Sequence, residues 1–317
     1  MVNVTLIGTA GAVPLPERAL SSCVLTLDGR SILFDCGEGT QTAAKKHDVN
    51  LMRTDVIALT HYHGDHIFGI PGLLQSLNLG ERQRPIYIVG PVREGGTIEQ
   101  ELAPVLALTG RLNFDVIPMG IPDKGLAISD LFPDWSPLAR LEPFKTDHKV
   151  TSCGYSFLLK RRGKFLPGNA SALGIPRQLW HFLQEGGDVC FTDDNGMTRT
   201  ASPSDVMGPA RKGIKIAFSG DTRVCDSLRR GASGADLFIC DATYGSDENE
   251  QTALEYCHMT FSQAAHTASR AKVKRLWLTH FSQRMRDPSE FLEFAQNAFP
   301  EAECGFDGKT LDIDFEN

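Results

Sequence analysis

Several things are scarce in this chain of 317 residues, and each scarcity excludes something. No apolar run approaches the roughly 18 residues of a membrane span, so no membrane role is expected. The N-terminus, Met1-Val-Asn-Val-Thr-Leu-Ile-Gly8, lacks the charged start and long apolar core of a signal peptide and reads as a strand. No two of the eight cysteines (Cys23, Cys36, Cys153, Cys190, Cys225, Cys240, Cys257, Cys304) stand at CxxC spacing, and several sit in apolar runs. They read as buried thiols in a reducing, cytoplasmic compartment rather than as a disulfide framework. An overall basic excess is also missing: the net charge is -7, which argues mildly against a nucleic-acid partner. The positive charge present is clustered, at Lys160-Arg161-Arg162-Gly163-Lys164, Arg211-Lys212-Gly213-Ile214-Lys215 and Lys272-Val273-Lys274-Arg275. A local patch can bind RNA on an acidic protein, although solvated loop charge is the plainer reading of any one cluster.

What the chain does have is two halves of short apolar segments separated by helical patterns. Strands are expected at 2–7, 21–27, 31–35, 56–60 and 86–89, then at 152–159, 214–219, 236–241, 275–279 and 311–315. Helices are expected near 66–79, 96–108, 222–230, 261–272 and 288–299, the last opened by Pro288, as suits a first-turn proline. Such alternation predicts a layered α/β architecture with helices outside. Residues 161–210 break the pattern, being rich in Gly, Pro, Asp and Ser, with only short helical pieces at Ser171–Leu173 and Pro176–Gln184. So long an irregular insertion usually has a task or is disordered, and Trp180 and Phe182 speak against complete disorder.

The densest chemistry is His61-Tyr62-His63-Gly64-Asp65-His66, directly after the apolar run Asp55–Thr60. Imidazole and carboxylate suit Zn²⁺ and related divalent ions. Three further signals each end an apolar segment: Thr146-Asp147-His148, Ser219-Gly220-Asp221-Thr222 and Leu278-Thr279-His280. Ligands spread over strand ends are what a two-metal site on a rigid sheet requires. Asp35, in Phe34-Asp35-Cys36-Gly37-Glu38-Gly39, is either a turn cap or a carboxylate that orients a ligand histidine.

This set resembles the metallo-β-lactamase superfamily. Phe34–Gln41, His66-Ile-Phe-Gly-Ile-Pro-Gly-Leu73, Leu166-Pro-Gly168 with Leu173-Gly-Ile-Pro176, and Leu278-Thr-His-Phe-Ser-Gln-Arg284 resemble more narrowly the ribonuclease Z family. The resemblance runs from residue 5 to about residue 286. It implies an αββα sandwich of two mixed sheets with outer helices, in one domain over 1–317, with an arm inserted at about 161–210 that grips tRNA. By position, His61, His63 and His148 would bind one zinc, and Asp65, His66 and His280 the other. Asp221 would bridge them. Mn²⁺, Co²⁺ or Fe²⁺ would also suit these ligands. The implied reaction removes the 3′ trailer of a tRNA precursor: a hydroxide between the ions attacks phosphorus, leaving a 3′-hydroxyl on the tRNA and a 5′-phosphate on the trailer. Asp65 would orient the water. His258, in His258-Met259-Thr260, would assist the leaving oxygen, held by Asp241 where the family has a glutamate. Arg284 and Arg18 would contact substrate phosphates, and a homodimer is implied.

Two elements depart from the family pattern. Its early Pro-x-Lys-x-Arg-Asn loop here reads Pro14-Leu15-Pro16-Glu17-Arg18-Ala19, and its Gly-Pro pair is replaced at Arg177-Gln178. The alternative reading is therefore a two-metal phosphodiesterase or other hydrolase of a small substrate on the same fold. A binding protein with a dead site is disfavoured, because no ligand position is lost.

Overall fold

In the computed structural model, residues 1–193 and 196–316 are described. They form two compact units: Met1–Leu158 with Ile214–Phe315, and Leu159–Gly213 with Glu316.

The larger unit is built on two seven-stranded sheets. One runs in the order Thr310–Ile313, Val2–Gly8, Ser22–Leu27, Arg30–Phe34, Thr54–Ala58, Ile86–Gly90, Val116–Gly120. The other runs Ala302–Cys304, Leu276–Thr279, Leu237–Asp241, Arg211–Phe218, Cys153–Arg161, Ala139–Lys145, Leu126–Ala127. Both are mixed. The four strands from Arg30–Phe34 to Val116–Gly120 are parallel, whereas Val2–Gly8 pairs antiparallel on both sides. In the second sheet the four strands from Ala302–Cys304 to Arg211–Phe218 are parallel. Parallel strands must be covered on both faces, so their sequences are continuously apolar; Ile32, Leu33, Ile57, Phe238 and Leu278 are all buried.

The inner faces meet through aromatic residues, with the Phe34 ring 5.5 Å from Phe218 and 6.0 Å from Tyr155. Helices cover the outer faces. Ile70–Leu79 and Ile98–Leu106 lay Leu73, Leu74, Leu77 and Leu102 over Ile57 and Ile88. On the other side Phe261–Ala271 presents a strip of small residues, Ala264, Ala265 and Ala268, to Phe238, Cys240 and Leu278. That helix starts where it does because the Thr260 side chain accepts from Gln263 N and the Gln263 side chain returns the bond to the Thr260 backbone. The αββα sandwich is therefore as expected.

The differences are local. The strand expected at 56–60 ends at Ala58, so the ligand loop begins earlier. The helix expected at 66–79 is two pieces, Gly64–Ile67 and Ile70–Leu79. They part beside Gly69, where a Cβ would sit 2.1 Å from the Gly37 carbonyl oxygen.

The smaller unit has its own apolar core: Ala170, Ile175, Leu183, Val189, Phe191, Ala201 and Val206, with Phe165, Leu179 and Trp180 packed on it. Trp180 donates to the Ile175 carbonyl at 2.9 Å. Short helices Pro167–Ala172, Trp180–Glu185 and Pro203–Val206 accompany an antiparallel hairpin, Val189–Thr192 with Thr198–Ala201. Residues 194 and 195 of the expected arm lie outside the described residues. Arg161, Lys164, Arg211 and Lys212, with Glu316, line a cavity of about 370 Å³ in this unit.

Candidate metal centre

Most of the candidate side chains enter from the C-terminal end of a strand. Asp35 follows Arg30–Phe34, the His61–His66 loop follows Thr54–Ala58, and His148 follows Ala139–Lys145. Asp221 follows Arg211–Phe218, Asp241 closes Leu237–Asp241, and His280 follows Leu276–Thr279. Asp35 and His280 hold left-handed backbone, with φ of 54° and 62°. Such conformations cost on the order of 1 kcal/mol or more for non-glycine residues and persist where surrounding structure fixes them. Gly11 makes room for one of them: a Cβ there would lie 2.5 Å from the His280 ring.

The donor atoms form two overlapping sets. His61, His63, His148 and Asp221 bring one ligand atom each within 4.8 Å of one another, and so do Asp65, His66, Asp221 and His280. Four donors around a tetrahedral zinc at about 2.0–2.1 Å are roughly 3.3 Å apart. Here His63 Nδ1 lies 3.0 Å from His61 Nε2 and 3.3 Å from His148 Nε2. Asp221 Oδ1 is 3.3 Å from both His66 Nε2 and His280 Nε2, and Asp65 Oδ2 is 3.4 Å from His280 Nε2. Asp221 Oδ2 faces the other way, 3.8 Å from His61 Nε2. Asp221 thus offers one oxygen to each set. His66 Nε2 and Asp221 Oδ1 are buried and have no hydrogen-bond partner. Buried polar atoms are rarely left so, and a cation would satisfy both. The cluster fits metal binding.

The opposite edges of the rings are tied to the protein in a repeated arrangement. Asp35 accepts from the Thr60 hydroxyl at 2.9 Å, and that hydroxyl accepts from His61 Nδ1 at 3.0 Å. Asp35 also accepts from His66 Nδ1 at 2.8 Å. On the other sheet, Asp241 accepts from the Thr243 hydroxyl at 2.7 Å, and that hydroxyl accepts from His280 Nδ1 at 2.9 Å. Asp241 also takes His258 Nδ1 at 2.8 Å. Each carboxylate therefore orients two imidazoles, one directly and one through a threonine, which fixes Nε2 as the free edge. His148 Nδ1 points to the Cys257 carbonyl at 3.2 Å. Asp221, Asp241, His258 and His280 also group together. Asp241 is already engaged there by Thr222 N, Thr243 and His258, so hydrogen bonding explains that group.

Charge follows from the same contacts. Burial lowers the pKa of His61, His63 and His148; it acts the same way on His66, but the Asp221 and Asp35 carboxylates outweigh it there and raise that pKa. Burial works against the charge of Asp221, but His280 and His66 outweigh it and hold the carboxylate well below its usual range. Burial also opposes charging of Asp65, but the His280 hydrogen bond with His66 and His280 charge holds its pKa low. Burial lowers His258 too, yet the Asp241 charge and hydrogen bond raise it to about 9. Asp241, one methylene shorter than the glutamate of the resembling family, reaches this histidine without strain in the bond length. The His258 ring stacks 5.2 Å from His280 and lies 5.4 Å from His148.

Asp35, His61, His63, Asp65, His66, His148, Asp221, Asp241, His258 and His280 thus converge. Arg284 stands nearby and exposed, in the wall of a pocket with Thr243 and Tyr244. Arg18 does not stand on the open surface of the cluster. It is only 8 % exposed and donates to the Met285 carbonyl, with its guanidinium 5.8 Å from the Phe281 ring. It ties the early loop to the segment after His280 rather than facing a substrate. Thr60 and Thr243 link a carboxylate to a histidine and are passed over by motif reading; their only sequence signal is a hydroxyl residue beside a candidate ligand or within Asp241-Ala-Thr243. The Ala12 backbone N–H on Asp65 Oδ2, at 2.8 Å, has no such signal.

Residues 16–130 match the model of the metallo-beta-lactamase superfamily, and residues 191–281 that of a beta-lactamase superfamily domain. The chain is 38% identical over 322 residues to the ribonuclease Z of Clostridium tetani, with 100% of both covered. It is 36% identical over 318 residues to the ribonuclease Z of Lachnoclostridium phytofermentans, covering 100% of this chain and 99% of that one. Among solved structures it resembles human tRNase Z, short form, with a TM-score of 0.66 at 27% identity and coverage of 99% and 100%.

Proposed function

The chain belongs to the ribonuclease Z family, and we propose that it is the endoribonuclease that removes 3′ trailers from tRNA precursors. His61, His63 and His148 would hold one Zn²⁺, and Asp65, His66 and His280 a second, with Asp221 between them. Ions so bound supply a nucleophile from water at neutral pH and neutralise phosphodiester charge. The chain's own residues do the rest. Asp65, kept ionised and anchored by the Ala12 N–H, accepts a hydrogen bond from the attacking water and fixes its direction. His258, kept protonated by Asp241, has Nδ1 committed to that carboxylate, so Nε2 gives the proton to the departing 3′-oxygen. The P–O3′ bond breaks, leaving the tRNA 3′-hydroxyl and the trailer 5′-phosphate.

The observation that carries this reading is the split of Asp221, one oxygen toward each donor set, with His258 alongside and its Nδ1 held by Asp241 at 2.8 Å. The four cations around one cavity of the Leu159–Gly213 unit support an RNA-binding role for the inserted arm. A homodimer belongs to the same reading. So does a cytoplasmic location, supported by eight free cysteines.

The test is cleavage of a 3′-extended tRNA precursor with Zn²⁺ or Mn²⁺, beside bis(p-nitrophenyl) phosphate, with Asp65→Ala as control. Cutting just after the discriminator base, lost in the variant, is expected. Hydrolysis of the small diester with the tRNA intact would discard the substrate and point to Pro16, Ala19 and Arg177.

A further inference from the structure

We propose that the pocket lined by Thr243, Tyr244, Phe291 and Arg284 receives the base of a nucleotide adjoining the scissile phosphate; this rests on the tRNA-cleaving reading. The pocket has a volume of about 190 Å³. That is below the roughly 300 Å³ at which sites for drug-sized ligands begin, so it holds one ring system and not a base pair. It lies beside the reaction centre. Thr243 belongs both to its wall and to the hydroxyl link that orients His280. The Tyr244 ring is 6.5 Å from His258, and Ser282, another wall residue, follows His280 by two positions.

The lining suits a base. Tyr244 and Phe291 supply aromatic faces, on which any base can stack. Asn249, Thr252 and Ser282 supply hydrogen-bonding groups at its edge, and no acid lines the wall. Arg284 is exposed and makes no ion pair among the described residues, leaving a cation for the phosphate attached to that nucleotide. The wall is also stiffly held. A Cβ on Gly245 would lie 2.2 Å from the Phe291 ring, and Arg18 donates to the carbonyl of Met285, another wall residue.

The experiment uses the whole chain with its metal and three tRNA precursors: the parent, one with the discriminator base removed, and one with the first trailer base removed, each ribose intact. One abasic substrate is expected to lose about tenfold in kcat/KM while the other stays near the parent. In Tyr244→Ala and Phe291→Leu that penalty should shrink toward parity. The penalty, not the rate, is the readout, so a variant with reduced overall activity still reports. Equal cleavage of all three substrates by the unaltered chain overturns the proposal, as does a penalty that survives in both variants. No cleavage even of the parent precursor removes the tRNA reading itself, and this inference with it.

Discussion

Around Asp221 nearly every polar atom is committed: ring nitrogens on one side to Asp35, Asp241 or a carbonyl, and on the other to a shared gap between donors. In the Leu159–Gly213 unit, Lys164, Arg177 and Arg211 are exposed, on a core of seven buried side chains. The first region is built on two sheets and tolerates little displacement, because a metal set needs several donors at once. The second is a small fold whose charge acts at a distance and additively. On the proposed function the contrast assigns bond breaking to the rigid strand ends, and grip on a large anion to a surface where single residues are replaceable. A replacement such as Arg177 on that surface leaves the donor cluster around Asp221 untouched.

The contrast is tested most severely at Asp221. Asp221→Ala takes one donor from both sets, and tRNA cleavage and small-diester hydrolysis should fall together by roughly three orders of magnitude or more. Bound metal, measured by atomic absorption, should fall too. Activity retained on either substrate would mean that the two donor sets are independent.

His258→Ala separates the substrates. Loss of a positioned acid costs roughly 10²–10⁴-fold. That loss should appear on the tRNA precursor, whose leaving 3′-oxygen needs a proton. It should be much smaller on bis(p-nitrophenyl) phosphate, whose leaving group departs as the anion. Equal losses on both would move His258 from proton donor to structural support.

Asp35→Asn keeps the shape but weakens the orientation of His61 and His66. A roughly 10–100-fold loss in metal affinity or activity is expected. It should be read by titrating metal back into the stripped protein. Asp241→Asn should differ by losing tRNA cleavage beyond what added metal restores, since Asp241 serves His258 as well as His280.

Much of the metal centre is legible in the sequence because ligands for a divalent ion are rare residue types crowded at strand ends, and His61–Asp65–His66 cannot easily be anything else. His258 and Asp241 are legible only through resemblance, since a lone histidine before a helix is an ordinary structural residue. Thr60 and Thr243 are invisible because hydroxyl residues cap turns everywhere. The burial of Arg18 is not legible in the sequence, because its partner, the Met285 carbonyl, is 267 positions away. The strand Val116–Gly120 escapes because Pro118 argues against it; it lies at a sheet edge, where a missing donor is tolerated. The hairpin of the smaller unit escapes because Thr198-Arg199-Thr200 is polar and exposed and lacks the alternation that marks a strand.

The mildest prediction concerns the cations of that smaller unit. Lys164→Gln and Arg211→Gln should each weaken tRNA binding a few-fold and leave bis(p-nitrophenyl) phosphate hydrolysis unchanged, since that diester needs no distant grip. Each lost phosphate contact should also lower the slope of log affinity against log salt by roughly one. The slope decides between charge and shape, because a residue acting through local folding would reduce affinity at every salt concentration without changing it. Arg211 is the more demanding case: its Nε donates to the Arg162 carbonyl at 2.9 Å, so part of its effect could be structural. Lys164 has no such bond among those described, and a slope change there with none at Arg211 would assign the RNA contact to Lys164 and the hydrogen bond to Arg211. Unchanged slopes in both would take the cavity out of RNA binding and leave recognition to other surfaces.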